Sequence, residues 1–210
     1  MQIRTRNTGA GVLVLAAALA VAAAPVMAAT GTFRASTQPV PHTSSGSGLN
    51  VSGSATLRLN GMSNVLTATI TASGLSPRLP HLMHIHGVID GDNDCPTISA
   101  DTITVDGFID TPEGEPAYGP ILVTFSTKGS TAASAGLNLS TAVVADKFGR
   151  INYNRTFKIP ADVANDLENL EIVIHGADLN GSGAYDGVES ALGMGIPLEA
   201  ELPVSCGVLN

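Results

Sequence analysis

Apolar and polar positions alternate in short bursts along most of this chain. Residues 31–37 (GTFRAST), 54–60 (SATLRLN), 64–74 (NVLTATITASG) and 149–160 (GRINYNRTFKIP) carry this pattern, with β-branched and aromatic residues among the apolar ones. Residues 82–88 (LMHIHGV), 119–127 (GPILVTFST), 170–176 (LEIVIHG) and 197–204 (PLEAELPV) are runs of similar length. Side chains of a strand point alternately to its two faces, so the periodicity predicts strands, and the Gly, Pro, Asn and Ser between them predict turns. The expected fold is all-β, a sandwich or barrel of about eight antiparallel strands.

One window breaks the pattern. PADVANDLENL, residues 160–170, starts with a proline and is rich in Ala, Asp and Leu, which predicts one or two helical turns at the periphery. Residues 38–50 and 126–140 are polar, Gly- and Ser-rich connections that do not divide the chain.

The first 28 residues read differently. Arg4 and Arg6 precede an apolar run from Gly11 to Val26, and small residues fit a cleavage site after Ala28. That is the layout of a secretory leader; a membrane span is the competing reading, but the run is short, Ala-rich and lacks a basic flank on its far side. The expectation is a leader over 1–28, a single domain over 29–210, and a protein that is secreted or periplasmic. Without Arg4 and Arg6 the formal charge moves from −8 to −10, since no acidic residue precedes Asp90. So acidic a chain is not expected to bind nucleic acid or anionic lipid. The two cysteines of an exported chain predict one disulfide, Cys95 to Cys206.

Three of five histidines fall within residues 81–86. On a strand, His84 and His86 share a face, so their imidazoles can grip one metal ion. His175, at the end of the run LEIVI, offers a third nitrogen if its strand lies near the first. The plainer alternative is an exposed polar pair and a locally hydrogen-bonded third ring. His42, in a polar loop, is expected to be a bystander.

The spacing His81, His84, His86, Cys95 resembles the copper-binding strand of the copper/zinc superoxide dismutases, in which a histidine is followed by histidines three and then two residues later and a disulfide cysteine nine later. The resemblance extends to ITASGLSPRLPHLMHIHG, to VIHGADLNG and to the ending SCGVLN, in order along the chain; secreted chordin-type domains share the HIH strand. It implies a Greek-key β-sandwich, copper at His84, His86 and His175, a disulfide between Cys95 and Cys206, and a supporting role without metal contact for His81. It also implies superoxide as a candidate substrate. Two departures matter. Residues 96–120 contain none of the family's zinc-site histidines, so no zinc site is expected, and Pro203 stands where the family keeps the arginine that attracts superoxide. Weak or no turnover follows as the expectation.

Acidic residues gather after these strands. DLNGSGAYDGVE, residues 178–189, fits a twelve-residue calcium loop, with Asp178, Asn180 and Ser182 at positions 1, 3 and 5, Gly183 at the turn, Tyr185 in the apolar slot, Asp186 at position 9 and Glu189 at position 12. An Asn/Gly-rich hairpin connection is the alternative. Residues 102–113 match only the later half, through Asp106, Asp110 and Glu113, and a solvated acidic turn accounts for them as well. There is no phosphate-binding Gly loop, no Gly-x-Ser-x-Gly and no Cys/His nucleophile pair, which removes support for nucleotide and hydrolase chemistry. Three functions stay open: a copper-binding protein with a calcium-stabilised loop, a copper-only dismutase, and a calcium-stabilised extracellular interaction module.

Overall fold

The structure is a computed structural model that describes residues 28–193 and 195–210. The leader expected over 1–28 lies, except for Ala28, outside the described residues.

Alternation becomes sheet most directly in the first half. In β3 (Val65–Ser73), Leu66, Ala68, Ile70 and Ala72 are buried while Thr67, Thr69 and Thr71 face outward. Its neighbours β2 (Ser52–Asn60) and β8 (Arg150–Lys158) pair with it over nine residues each, so Leu57 meets Ala68 and Tyr153 meets Ile70 on the inner face. β1 (Gly31–Pro39) extends the meander beside β2. These are half-buried strands, and their period of two is the consequence.

The remaining strands are β4 (Pro80–His81), β5 (Met83–His86), β6 (Ile121–Thr124), β7 (Val143–Val144), β9 (Glu171–His175) and β10 (Pro203–Val208). Eight strands form one antiparallel sheet in the order β6-β5-β9-β10-β1-β2-β3-β8, which curls into a half-barrel, while β4 and β7 pair separately. The chain crosses from β3 to β5, returns to β8 beside β3, and crosses again to β9 between β5 and β10. The all-β expectation is met. Where the sheet's edges approach, Arg155 of β8 donates to the carbonyls of Ser126 and Gly129 at 2.7 and 2.6 Å, and Tyr153 Oη donates to Ser126 at 3.1 Å.

β5 and β9 are buried on both faces. Met83, Ile85, Ile172 and Ile174 point into the main core, and the opposite face is roofed by loops. That roof includes α1 (Thr111–Tyr118), which the reading of the sequence did not anticipate. Pro116 and Gly114 lower helix propensity there, but Asp110 and Glu113 form a reciprocal capping box and Pro112 sits in the first turn. The window at 160–170 yields α2 (Ala161–Asn165) and a 3-10 turn, as expected. The strand expected over 197–204 is corrected: α3 (Leu198–Glu201) takes its first half and β10 begins only at Pro203. Leu, Glu and Ala favour helix over strand, and two-residue alternation in so short a run cannot overrule them.

The disulfide joins Cys95 to Cys206, and Cys206 packs with Val40, Ile109, Tyr118 and Val173. It ties the loop after β5 to the last strand. No helix of the described residues is long and apolar enough to cross a membrane.

Candidate metal centre

β5 and β9 are antiparallel neighbours, with His84 opposite Val173 and His86 opposite Glu171. Paired residues of a ladder point to the same side, and residues two apart on one strand share a face. His84, His86 and His175 therefore all project from the outer face beneath the roof. Ring centroids lie 5.3 Å apart for His84 and His86, 5.0 Å for His84 and His175, and 5.6 Å for His86 and His175. One ligating nitrogen from each ring lies within 4.8 Å of the other two.

Main-chain carbonyls decide which nitrogens are free. A carbonyl only accepts, so the nitrogen that faces it carries the proton. His84 Nε2 donates to Gly136 at 3.0 Å, His86 Nδ1 donates to Gly119 at 2.8 Å, and His175 Nδ1 donates to Glu201 at 2.6 Å. What remains is a bare lone pair on His84 Nδ1, on His86 Nε2 and on His175 Nε2. The first two face each other at 3.3 Å, and the third has no hydrogen-bond partner despite full burial. Two lone pairs at that distance with no proton between them repel. A cation between them removes the conflict: with bonds of about 2.0–2.1 Å, a tetrahedral angle sets two nitrogen donors roughly 3.3 Å apart. A second ring N–H held by a carbonyl is also the usual support of a metal-bound imidazole.

Burial keeps the rings neutral. Desolvation pushes His86 down to about 3, aided by the neighbouring His175, and His175 down to about 4; His84 is driven well below the usual range by burial and by both neighbours. Neutral imidazole is the form that binds metal. The three residues are only 1, 1 and 2 % exposed, so the cluster is closed to bulk water. Tyr118 of α1 stacks edge-on against His86 with centroids 4.6 Å apart and donates its hydroxyl to Thr111, which places the helix as part of the lid.

His81 is fully buried in β4, outside the triad. Its Nε2 contacts the carbonyl of Ser76 at 3.0 Å and its Nδ1 that of His175 at 3.1 Å, so it braces the backbone of the third histidine. His42 lies outside the cluster, as expected, but has a bracing role. Its Nδ1 accepts from the Ile109 amide and its Nε2 donates to Pro203, each at 3.0 Å, and Pro203 is the ladder partner of His175.

The loop 178–189 closes on itself. Asp178 accepts the amides of Ser182 and Gly183, Asn180 donates to Asp186 at 2.8 Å, and Ser182 Oγ donates to Asp186 at 2.9 Å. Four of the oxygen-bearing side chains at the expected positions are thus gathered, whereas Glu189 accepts from the Gly195 amide instead. Tyr185 packs inward beside Leu82, and its hydroxyl lies 3.4 Å from His81 Nδ1. Glu199, which carried no signal in the sequence, accepts the amides of Leu179 and Asp186.

The other acidic candidates have local tasks. Asp106 accepts from Phe108, and Asp110 caps α1 through Glu113. Glu113 accepts four amides, those of Thr102, Ile103, Thr104 and Asp110. Burial alone would raise its carboxyl, but those amides outweigh it and hold it below the usual range. The motif Asp110-Thr-Pro-Glu113 was the readable signal for this cap. Glu201 is a further residue that sequence reasoning missed: its carbonyl holds His175, while its carboxylate, pushed up to about 6 by burial, accepts from Thr111 and Ser190.

Set beside known proteins, the chain matches no protein-family model and no curated protein.

Proposed function

We propose that this chain is an exported copper-binding protein of the superoxide dismutase-like superfamily, with a calcium-stabilised loop beside the copper site and little or no dismutase turnover. The observation that carries the reading is the convergence of three neutral imidazole lone pairs whose tautomers are held by backbone carbonyls. Imidazole suits several divalent metals, and at a shared nitrogen site Cu²⁺ binds more tightly than its first-row neighbours. Bound copper would supply one-electron redox chemistry; the chain's part is to hold the ring planes, exclude water and keep the imidazoles unprotonated. Low turnover rests on two features: the ligands are almost wholly shielded, and Pro203, not a cation, lies beside His175.

Copper titrated into metal-free protein is expected to bind one equivalent, and a His84→Ala, His175→Ala double variant to bind none tightly. Superoxide consumption by the loaded protein is expected near background. A rate lost in the double variant would instead establish a copper-only dismutase, and absence of copper binding would leave the interaction-module reading.

The calcium part of the proposal rests on the gathering of Asp178, Asn180, Ser182 and Asp186. Glu189 would leave the Gly195 amide to complete the oxygen set. Calcium at a hundredfold excess over its dissociation constant is expected to stabilise the protein by about 2.7 kcal/mol, an increment absent from Asp178→Asn, measured by thermal melting. An unchanged melting temperature in calcium removes this component and leaves the copper reading intact.

A further inference from the structure

We propose that the outward face of β1, β2, β3 and β8 binds an acidic polysaccharide. The inference is independent of the metal centre and starts from where the charges lie. Five of the eight basic residues in the described chain, Arg34, Arg58, Arg150, Arg155 and Lys158, are on these four strands, and all eighteen acidic residues are elsewhere. The strands carry a formal charge of +5; the rest of the described chain, with three basic residues, carries −15. The described chain, of net charge −10, thus presents one cationic wall.

Four of the five cations point outward and are exposed; Arg155 instead turns to Ser126 and Gly129. Arg34 and Arg58 are diagonal neighbours across β1 and β2, because Arg34 pairs with Thr56 and Thr32 with Arg58. Arg150 and Lys158 mark the two ends of β8, roughly 26 Å apart at strand rise. Between them the face is hydroxyl- and amide-bearing: the row Ser36, Ser54, Thr71, Asn152 crosses all four strands in register. At the Arg150 end a groove of about 850 Å³ opens, and the single carboxylate lining it, Asp146, already accepts the amides of Phe148 and Arg150. Phe148 stands 64 % exposed in the turn beside it, with Lys147 and Arg150 over its ring.

This chemistry favours a sugar polymer over a nucleic acid. The aromatic residues of the four strands, Phe33, Tyr153 and Phe157, pack against the core, so beside the wall only the single ring of Phe148 is exposed and there is no row of rings on which successive bases could stack. Duplex DNA, with one charge per about 1.7 Å, also meets the strongest repulsion from the acidic remainder. A polyuronate carries sparser carboxylates and many hydroxyls, which match isolated cations set among Ser, Thr and Asn.

The test uses the full mature protein and polygalacturonate, with neutral dextran and single-stranded DNA as controls. Expected is binding at low salt that weakens with a log–log salt slope of roughly −3 for four engaged cations. Arg34→Glu with Arg58→Glu and Lys158→Glu should lower that affinity by at least about tenfold while copper stoichiometry and the circular dichroism spectrum stay unchanged. Arg34→Gln with Arg58→Gln serves as the milder pair should the charge reversal impair folding. No binding to polygalacturonate, salt-independent binding, equal binding of dextran, tighter binding of DNA, or full affinity in both variants each overturns the proposal.

Discussion

Metal-free protein moved from pH 7.5 to pH 5 is expected to lose stability and to melt a few degrees lower. All five histidines are held below their ordinary value in the fold, with burial the leading cause at each. The unfolded chain takes up protons as pH falls through about 6.5, whereas the folded triad resists until about 4 at His175 and about 3 at His86. The unfolded state therefore binds more protons through this window, and stability falls with pH. At pH 5 His86 and His175 each cost about 2 kcal/mol, and His84, held well below the usual range, adds to the loss. Three carboxyls act in the opposite sense: burial raises Glu171 to about 8, Glu201 to about 6 and Asp110 above its ordinary range, so each takes up its proton in the fold at a higher pH than in the unfolded chain and offsets part of the loss as the medium acidifies. The rise at Glu171, from 4.5 to about 8, is as large as the fall at His86, so the carboxyls cancel much of the triad's loss, and the net decrease is the difference, to which His42 and His81 add. Thermal melts of the chelated protein across this range provide the check, and a melting point at pH 5 equal to or above that at pH 7.5 sinks the claim. Bound metal should flatten the dependence until protons compete for its ligands.

Replacing Cys95 and Cys206 by serine should cost about 4–5 kcal/mol, the chain-entropy value for a loop of 111 residues. The loss should exceed that of an exposed substitution by far, and it should reach the metal centre. Cys206 packs with Tyr118, whose ring covers His86, and the bridge holds the loop between β5 and α1 against β10. Urea unfolding of the double serine variant, together with its copper affinity, measures both effects; a stability change below about 1 kcal/mol would show that the bridge constrains little.

What the sequence disclosed depended on how each segment is solvated. β1, β2, β3 and β8 wet one face and hide the other, so their alternation was plain. β5 and β9 are covered on both sides, and only the parity of His84 and His86 and the apolar run before His175 marked them. The three histidines, their common face and the disulfide were therefore legible. The roof was not. Residues 126–140 read as a loose connection, yet Gly136 supplies one of the carbonyls at the site. α1 was hidden behind Pro116 and Gly114, and its Asp110 and Glu113 were read as a solvated acidic turn, with calcium as the weaker alternative, because carboxylates that serve backbone amides look the same in a string of letters. Glu199 and Glu201 fell inside a run that alternates like a strand, so their inward roles had no signature.

The groups that orient the triad, at Gly119, Gly136 and Glu201, belong to the peptide backbone. Every amino acid brings the same oxygen, so ordinary point replacements cannot delete these anchors; only a change in chain path can. Mutational scans should accordingly find that replacements at Gly119 and Gly136 act through the room a Cβ would need, 2.5 Å from the Gly87 backbone at the first and 2.6 Å from Ile121 at the second, while insertions, deletions or prolines that reroute the loops act on the anchors directly. Tuning the centre by design would then mean editing loop length, with the imidazoles left untouched.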